Sequence, residues 1–202
     1  MMRYVVLAAG LLLAPLSFGA GSVTHNAADP VSLSDHLQGT LIARMDYKVP
    51  QVQLVRQDGK SVTLAEELND GRPVVMNFIY TTCETTCPLS SATFSLFAKR
   101  LGADRSKVHM VSISIDPEQD TPERLRAYAK KFGAGPEWQH YTGTPQASIA
   151  AQQSFGVYYG DKMSHTPVTL LRVAPGKPWI RIDGFVTPEQ LMQVYRELLA
   201  SP

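Results

Sequence analysis

At 202 residues and 44% hydrophobic content, the chain is long enough for one ordinary core and too short for two typical ones. Nineteen Lys and Arg stand against eighteen Asp and Glu, and Arg3 is the lone charge in the first twenty residues, so the remainder is balanced. Without a basic block, neither nucleic acid nor an anionic membrane surface is an expected partner.

Arg3 precedes the apolar run Tyr4 to Leu16, and the small residues Ser17, Gly19, Ala20 and Gly21 follow. This is the pattern of a secretory signal peptide over residues 1–20. The competing reading is an uncleaved anchor, but the run is shorter than the ~20 residues a spanning helix needs, and Pro15 interrupts it. The expected location is the periplasm, with membrane attachment only if the segment is retained. Residues 21–48 read as an extended connector and 49–202 as the folded domain.

Within that domain, Val52 to Val55 and Ser61 to Leu64 flank Asp58-Gly59, the signal of an N-terminal β-hairpin. Leu64 to Leu68 suits a short helical turn. Pro73 to Tyr80 (PVVMNFIY) is a continuous apolar run, expected as a strand buried on both faces. Leu89, Phe94, Leu96, Phe97 and Leu101 then recur at helical spacing, predicting a helix from Pro88 to a stop at Gly102. A second apolar strand is expected at Val108 to Ile115. Thr-Pro pairs at 121–122, 144–145 and 187–188 supply an N-cap and a first-turn proline for three more helices. Strands are expected at Trp138 to Thr142, Val168 to Val173 and Trp179 to Ile182. Thr166-Pro167 breaks the rule by preceding a strand; trans is the expected isomer, although a tight approach there would accommodate cis. The order is that of an α/β fold, a sheet with helices on both faces.

The only two cysteines, Cys83 and Cys87, lie between the buried strand and the helix. A helix start favours thiolate over thiol, so the position suits redox or metal chemistry better than packing. Two thiolates are soft ligands that prefer copper(I) or zinc. A structural zinc site wants four protein ligands and no further cysteine exists, whereas two sulfurs and one imidazole make a three-coordinate site matched to copper. A purely structural disulfide closing so small a loop would stabilise little. Five histidines are available. His25 and His36 lie near the loose start, His109 is in a strand, and His140 stands between Trp138 and Tyr141. His165 follows a polar turn directly before a strand and is the leading candidate.

The CxxxCP of Cys83 to Pro88, the DPEQDTPERL of Asp116 to Leu125, and His165 before an apolar strand together resemble the Sco/SenC family. The similarity runs from about Val49 to Leu199. It implies a thioredoxin-like fold, a central mixed β-sheet flanked by helices. It also implies that Cys83, Cys87 and His165 bind one copper, Cu(I) or Cu(II), for delivery to a copper-receiving oxidase subunit or another cuproprotein. In that role the protein would be a metallochaperone for the binuclear copper site of cytochrome c oxidase. Family members also act as thiol-disulfide reductants, so the alternative is an oxidoreductase in which Cys83 attacks and Cys87 resolves, with a thiol-disulfide reductant as partner. Two departures stand out. Ser164 occupies a position where many members carry Asp, and Pro167 resembles the proline that faces the cysteine pair in thioredoxins. Asp161 is available to replace the missing carboxylate, and Met163 offers a thioether.

Overall fold

In the computed structural model, which describes residues 41–200, the strands are β1 (Leu41–Met45), β2 (Gln53–Arg56), β3 (Ser61–Thr63), β4 (Val74–Ile79), β5 (His109–Ser114), β6 (Trp138–Gly143), β7 (Val168–Arg172) and β8 (Trp179–Asp183). The helices are α1 (Leu64–Glu67), α2 (Thr86–Leu101), α3 (Pro122–Lys131), α4 (Pro145–Ser154) and α5 (Pro188–Ala200). The expected signal segment, with His25 and His36, lies outside the described residues.

The strands form one sheet in the order β1-β8-β7-β4-β5-β6-β2-β3. β4, β5 and β6 run parallel, and every other pair is antiparallel. All six residues of β4 are buried, as a strand covered on both faces requires. Its side chains alternate between two cores. Val75 joins Phe94 and Phe97 of α2 and Leu191 and Val194 of α5. Val74, Met76 and Phe78 join Leu64 of α1 and Ala147 and Ala151 of α4. α3 lies beside α2, where the Tyr128 hydroxyl meets Ser91 at 2.8 Å. A mixed sheet with helices on both faces, built on a parallel β4-α2-β5 unit, is a thioredoxin-like fold.

The three Thr-Pro helix starts behave alike. The hydroxyls of Thr121, Thr144 and Thr187 accept from the N–H groups of Arg124, Ala147 and Gln190 at 3.3, 3.1 and 3.2 Å. Gln190 closes a capping box by accepting the Thr187 N–H. The Thr166–Pro167 bond is trans, since no cis peptide occurs among the described residues.

Two boundaries differ from expectation. β1 falls within the presumed connector, where Leu41 to Met45 pair antiparallel with Asp183 to Trp179. Its sequence, LIARM, is too short and mixed to announce a strand; the open edge of β8 makes it one. β2 and β3 pair across the Asp58-Gly59 turn, but β1 precedes them and β2 also pairs with β6, so they form one edge of the sheet. α2 begins at Thr86, two residues before Pro88. Proline is tolerated throughout a first helical turn, whose N–H groups have no partner within the helix. Cys87 therefore belongs to the helix.

Phe155 closes the second core, with its ring 5.3 Å from Tyr47 and 5.2 Å from Trp179, both edge-on. Truncation there leaves a cavity between sheet and helix. Phe155→Ala should lower the unfolding free energy by about 3–5 kcal/mol, read as a lower urea midpoint at unchanged slope.

Candidate functional site

After β4 the chain leaves the sheet through Tyr80 to Thr85 and enters α2. Cys83 lies in this loop, its N–H donating to the Tyr80 carbonyl at 3.2 Å. Cys87 is the second residue of α2, so its N–H has no acceptor within the helix. It donates to the Cys83 sulfur at 3.3 Å. Thr85, at the N-cap position, makes no side-chain capping bond, and the Cys83 sulfur takes that role. The Thr86 hydroxyl stands 3.5 Å from the same sulfur. Both cysteines are buried, and they are free thiols.

These contacts split the pair. Burial works against a charge at Cys83, but the Thr86 hydroxyl and the Cys87 N–H outweigh it, and its pKa falls to about 6. Burial, reinforced by the Cys83 sulfur, pushes Cys87 up to about 12. At neutral pH the site holds one thiolate beside one thiol. Tyr80 is likewise raised to about 12, by burial and by the Cys83 sulfur.

The loop is held from below. Asp120, fully buried, accepts the Thr81 N–H on both carboxylate oxygens, at 3.2 and 3.1 Å, together with the hydroxyls of Thr81 and Ser114. A buried carboxylate without a basic partner is tolerable only when its lone pairs are met in this way. Ile79, Tyr80, Leu125 and Tyr128 pack with the two cysteines. Asp120 thus ties the DPEQDTP stretch to the cysteine loop. From sequence that stretch carries part of the family resemblance, but nothing in its run of acids marks Asp116 and Asp120 as the buried ones.

His165 is buried immediately before β7. β7 runs antiparallel to β4 with Asn77 opposite Thr169. Followed three residues forward from β4 and three back from β7, that register sets Thr166 level with Tyr80, so the topology delivers the imidazole to the end of the sheet that carries the cysteines. Its Nε2 lies 3.2 Å from the Phe78 carbonyl. A carbonyl oxygen only accepts, so Nε2 carries the proton and Nδ1 the lone pair. Nδ1 is buried without a hydrogen-bond partner. Burial lowers the pKa of the ring, keeping it neutral. An N–H held by a carbonyl with the opposite nitrogen unprotonated is the usual state of a metal-binding histidine.

The three side chains are not gathered as they stand. Among the described residues, no three His, Cys, Asp or Glu side chains are close enough together to hold one metal ion. The turn before His165 is tied down instead. Lys162 pairs with Asp116 at 2.6 Å, and the Tyr80 hydroxyl donates to the Met163 sulfur at 3.8 Å. Asp161, a candidate substitute for the carboxylate that Ser164 lacks, accepts the Met163 N–H at 2.9 Å and is used in capping its own turn. Beside His165 opens a cleft of about 490 Å³ lined by Asp116, Gln152, Tyr158, Tyr159 and Lys162. His109 and His140 also each have a buried ring nitrogen without a hydrogen-bond partner, but they lie within β5 and β6 and not at the cysteine loop. His109 meets Asp70 at 3.1 Å and the Tyr141 hydroxyl at 3.2 Å, and His140 bonds Gln57 and packs on Trp138.

The SCO1/SenC family model matches residues 43–200. The "SCO1 protein homolog" of Bacillus subtilis (strain 168) is 35% identical over 106 residues, which cover 52% of this chain and 54% of that protein. The chain therefore spans about half the length of that relative. The structure of Bradyrhizobium japonicum ScoI with copper bound is 28% identical, with a TM-score of 0.60, covering 72% of this chain and 96% of that one. A structure of BsSco, described as a member of the Sco family of cytochrome c oxidase assembly proteins with a disulfide switch, is 26% identical with a TM-score of 0.64, covering 77% and 95%. A sheet that sets a CxxxC helix start and a neutral, half-partnered histidine at one end, and a family match spanning nearly all the described residues, place this chain in the SCO1/SenC family.

Proposed function

We propose that the protein captures one copper ion with Cys83, Cys87 and His165 and delivers it to a copper-receiving oxidase subunit or another cuproprotein, as a metallochaperone in an exported compartment. The observation that carries this reading is the pairing of a preformed thiolate at Cys83 with an unpartnered imidazole lone pair at the same end of the sheet. The copper-bound relative of the same fold supports it. The donors are two sulfurs and one nitrogen, a soft set that favours copper over hard cations.

Capture requires the segment bearing His165 to shift toward the sulfurs. Even if the bond to Phe78 is lost in that step, the cost is about 1 kcal/mol. Metal binding at thiolate and imidazole sites releases on the order of 10 kcal/mol. The ion can therefore drive its own closure. Cys87 gives up its proton on binding, and Cys83 is already ionised at neutral pH.

A second reading is favoured by the same split between the thiols, and by the disulfide switch described for BsSco. As a thiol-disulfide oxidoreductase, the Cys83 thiolate attacks a partner disulfide, forming a mixed disulfide and releasing one partner thiolate. Cys87 then loses its proton and displaces the second, leaving a Cys83–Cys87 disulfide and a reduced partner. Insulin reduction with metal chelated separates the two: appreciable turnover supports the oxidoreductase.

Titrating reduced protein anaerobically with Cu(I) against a chelator should show one equivalent bound. His165→Ala should weaken it by about 10–100-fold and either cysteine-to-serine change by more. An affinity indifferent to all three substitutions rejects the site. Alkylation of Cys83 by iodoacetamide in the metal-free dithiol protein should rise with pH through a midpoint near 6, since only the thiolate reacts. Thr86→Val removes a hydrogen bond to the thiolate and should move that midpoint upward by about one unit, measured by mass spectrometry of quenched samples.

A further inference from the structure

Met163 sits in the Lys162–Ser164 turn, two residues before His165, and is 74% exposed. Exposure alone would say nothing. Its sulfur, however, is not at large in solvent, because the Tyr80 hydroxyl donates to it at 3.8 Å. Tyr80 itself packs with Cys83 and Cys87. One tyrosine therefore touches the thioether and lies against the cysteine pair, at the end of the sheet where His165 keeps an unpartnered, buried nitrogen. The two carboxylates of this turn and its partner are already engaged: Asp161 caps its own turn, and Asp116 is paired with Lys162.

We propose that Met163 is a further ligand of the site, a thioether that joins the copper ion from the solvent side and biases the site toward Cu(I). This rests on the copper reading above and deepens it. A thioether is neutral and needs no deprotonation, so it binds Cu(I) at any pH, and as a soft ligand it adds far less to the hold on Cu(II). The shift that carries His165 toward the sulfurs carries Met163 with it, because both belong to one short turn. Lying outermost, the thioether is the first sulfur an arriving ion meets and the last it leaves.

The test uses the full chain with ¹³C at the methionine methyl groups, reduced and anaerobic, and compares the parent with Met163→Leu. Leucine keeps the apolar volume and removes the sulfur, and an exposed site makes a change in melting temperature unexpected. One equivalent of Cu(I) should shift the methyl signal that is missing from Met163→Leu. That variant should hold Cu(I) about tenfold less tightly against bathocuproine disulfonate while its Cu(II) affinity changes far less. An unmoved methyl signal with one Cu(I) bound overturns the proposal. So does a shift with no loss of affinity, which would make the thioether a bystander, or an equal loss for both oxidation states. Cys83→Ser and Cys87→Ser serve as the control: if they retain full Cu(I) affinity the copper reading itself falls, whereas their loss beside an unaffected Met163→Leu removes only the thioether.

Discussion

The Cys87 N–H donating to the Cys83 sulfur joins the fold of this protein to its chemistry. A helix start leaves N–H groups without acceptors, and most chains meet them with a Ser, Thr, Asp or Asn side chain. Here the N-cap threonine makes no such bond, and a sulfur does the capping. A thiolate accepts more strongly than a thiol, so ionising Cys83 improves the cap. The cap in return holds the proton off Cys83 against the pull of burial. The four-residue spacing follows from this geometry: the first cysteine must lie outside the helix to turn back on it, and the second must lie in the first turn.

Such an arrangement needs a loop that cannot drift, and the rest of the structure supplies it. β4, buried along its length, fixes where the loop begins. Asp120 fixes its second residue through the Thr81 N–H and hydroxyl, and shares its remaining capacity with Ser114 at the end of β5. A buried carboxylate is costly unless fully met, so these donors and the acid depend on one another. The consequence is a link between two crossovers of the sheet, one bearing the sulfurs and the other bearing the DPEQDTP turn.

The imidazole reaches the site by a different route. It is brought by strand pairing, since an antiparallel β7 beside β4 must begin at the end where β4 stops. The ring is neutral and has one nitrogen occupied by the Phe78 carbonyl. The turn before it is secured by an ion pair to Asp116 and by the Tyr80 hydroxyl. Both contacts are partly buried, and in the proposed site bonds to a soft cation would take their place. In the proposed site the sulfur half would thus be prepared before metal arrives, and the nitrogen half held at the same end of the sheet with Nδ1 unprotonated.

Most elements were legible in the sequence because their signals are local. The apolar run at Pro73 to Tyr80, the Thr-Pro caps and the spacing of Phe94, Phe97 and Leu101 each depend on neighbours within a turn or two. The cysteine pair and His165 were singled out as candidates through residue chemistry and a resemblance carried by motifs, and the structure sets them at one end of the sheet. β1 was not, because LIARM becomes a strand only by pairing with β8, far along the chain. Nor was the true start of α2, because proline is allowed at several first-turn positions and only the packed structure chooses among them. Asp120 could not be told from its acidic neighbours, and Met163 could not be placed beside Tyr80, since burial and proximity are properties of the folded chain. Sequence alone determined which soft donor atoms this protein carries, two thiols and a histidine before a strand. The tertiary structure decided which sulfur is ionised, which nitrogen is free and what holds them apart, because each depends on hydrogen bonds between residues distant in the chain.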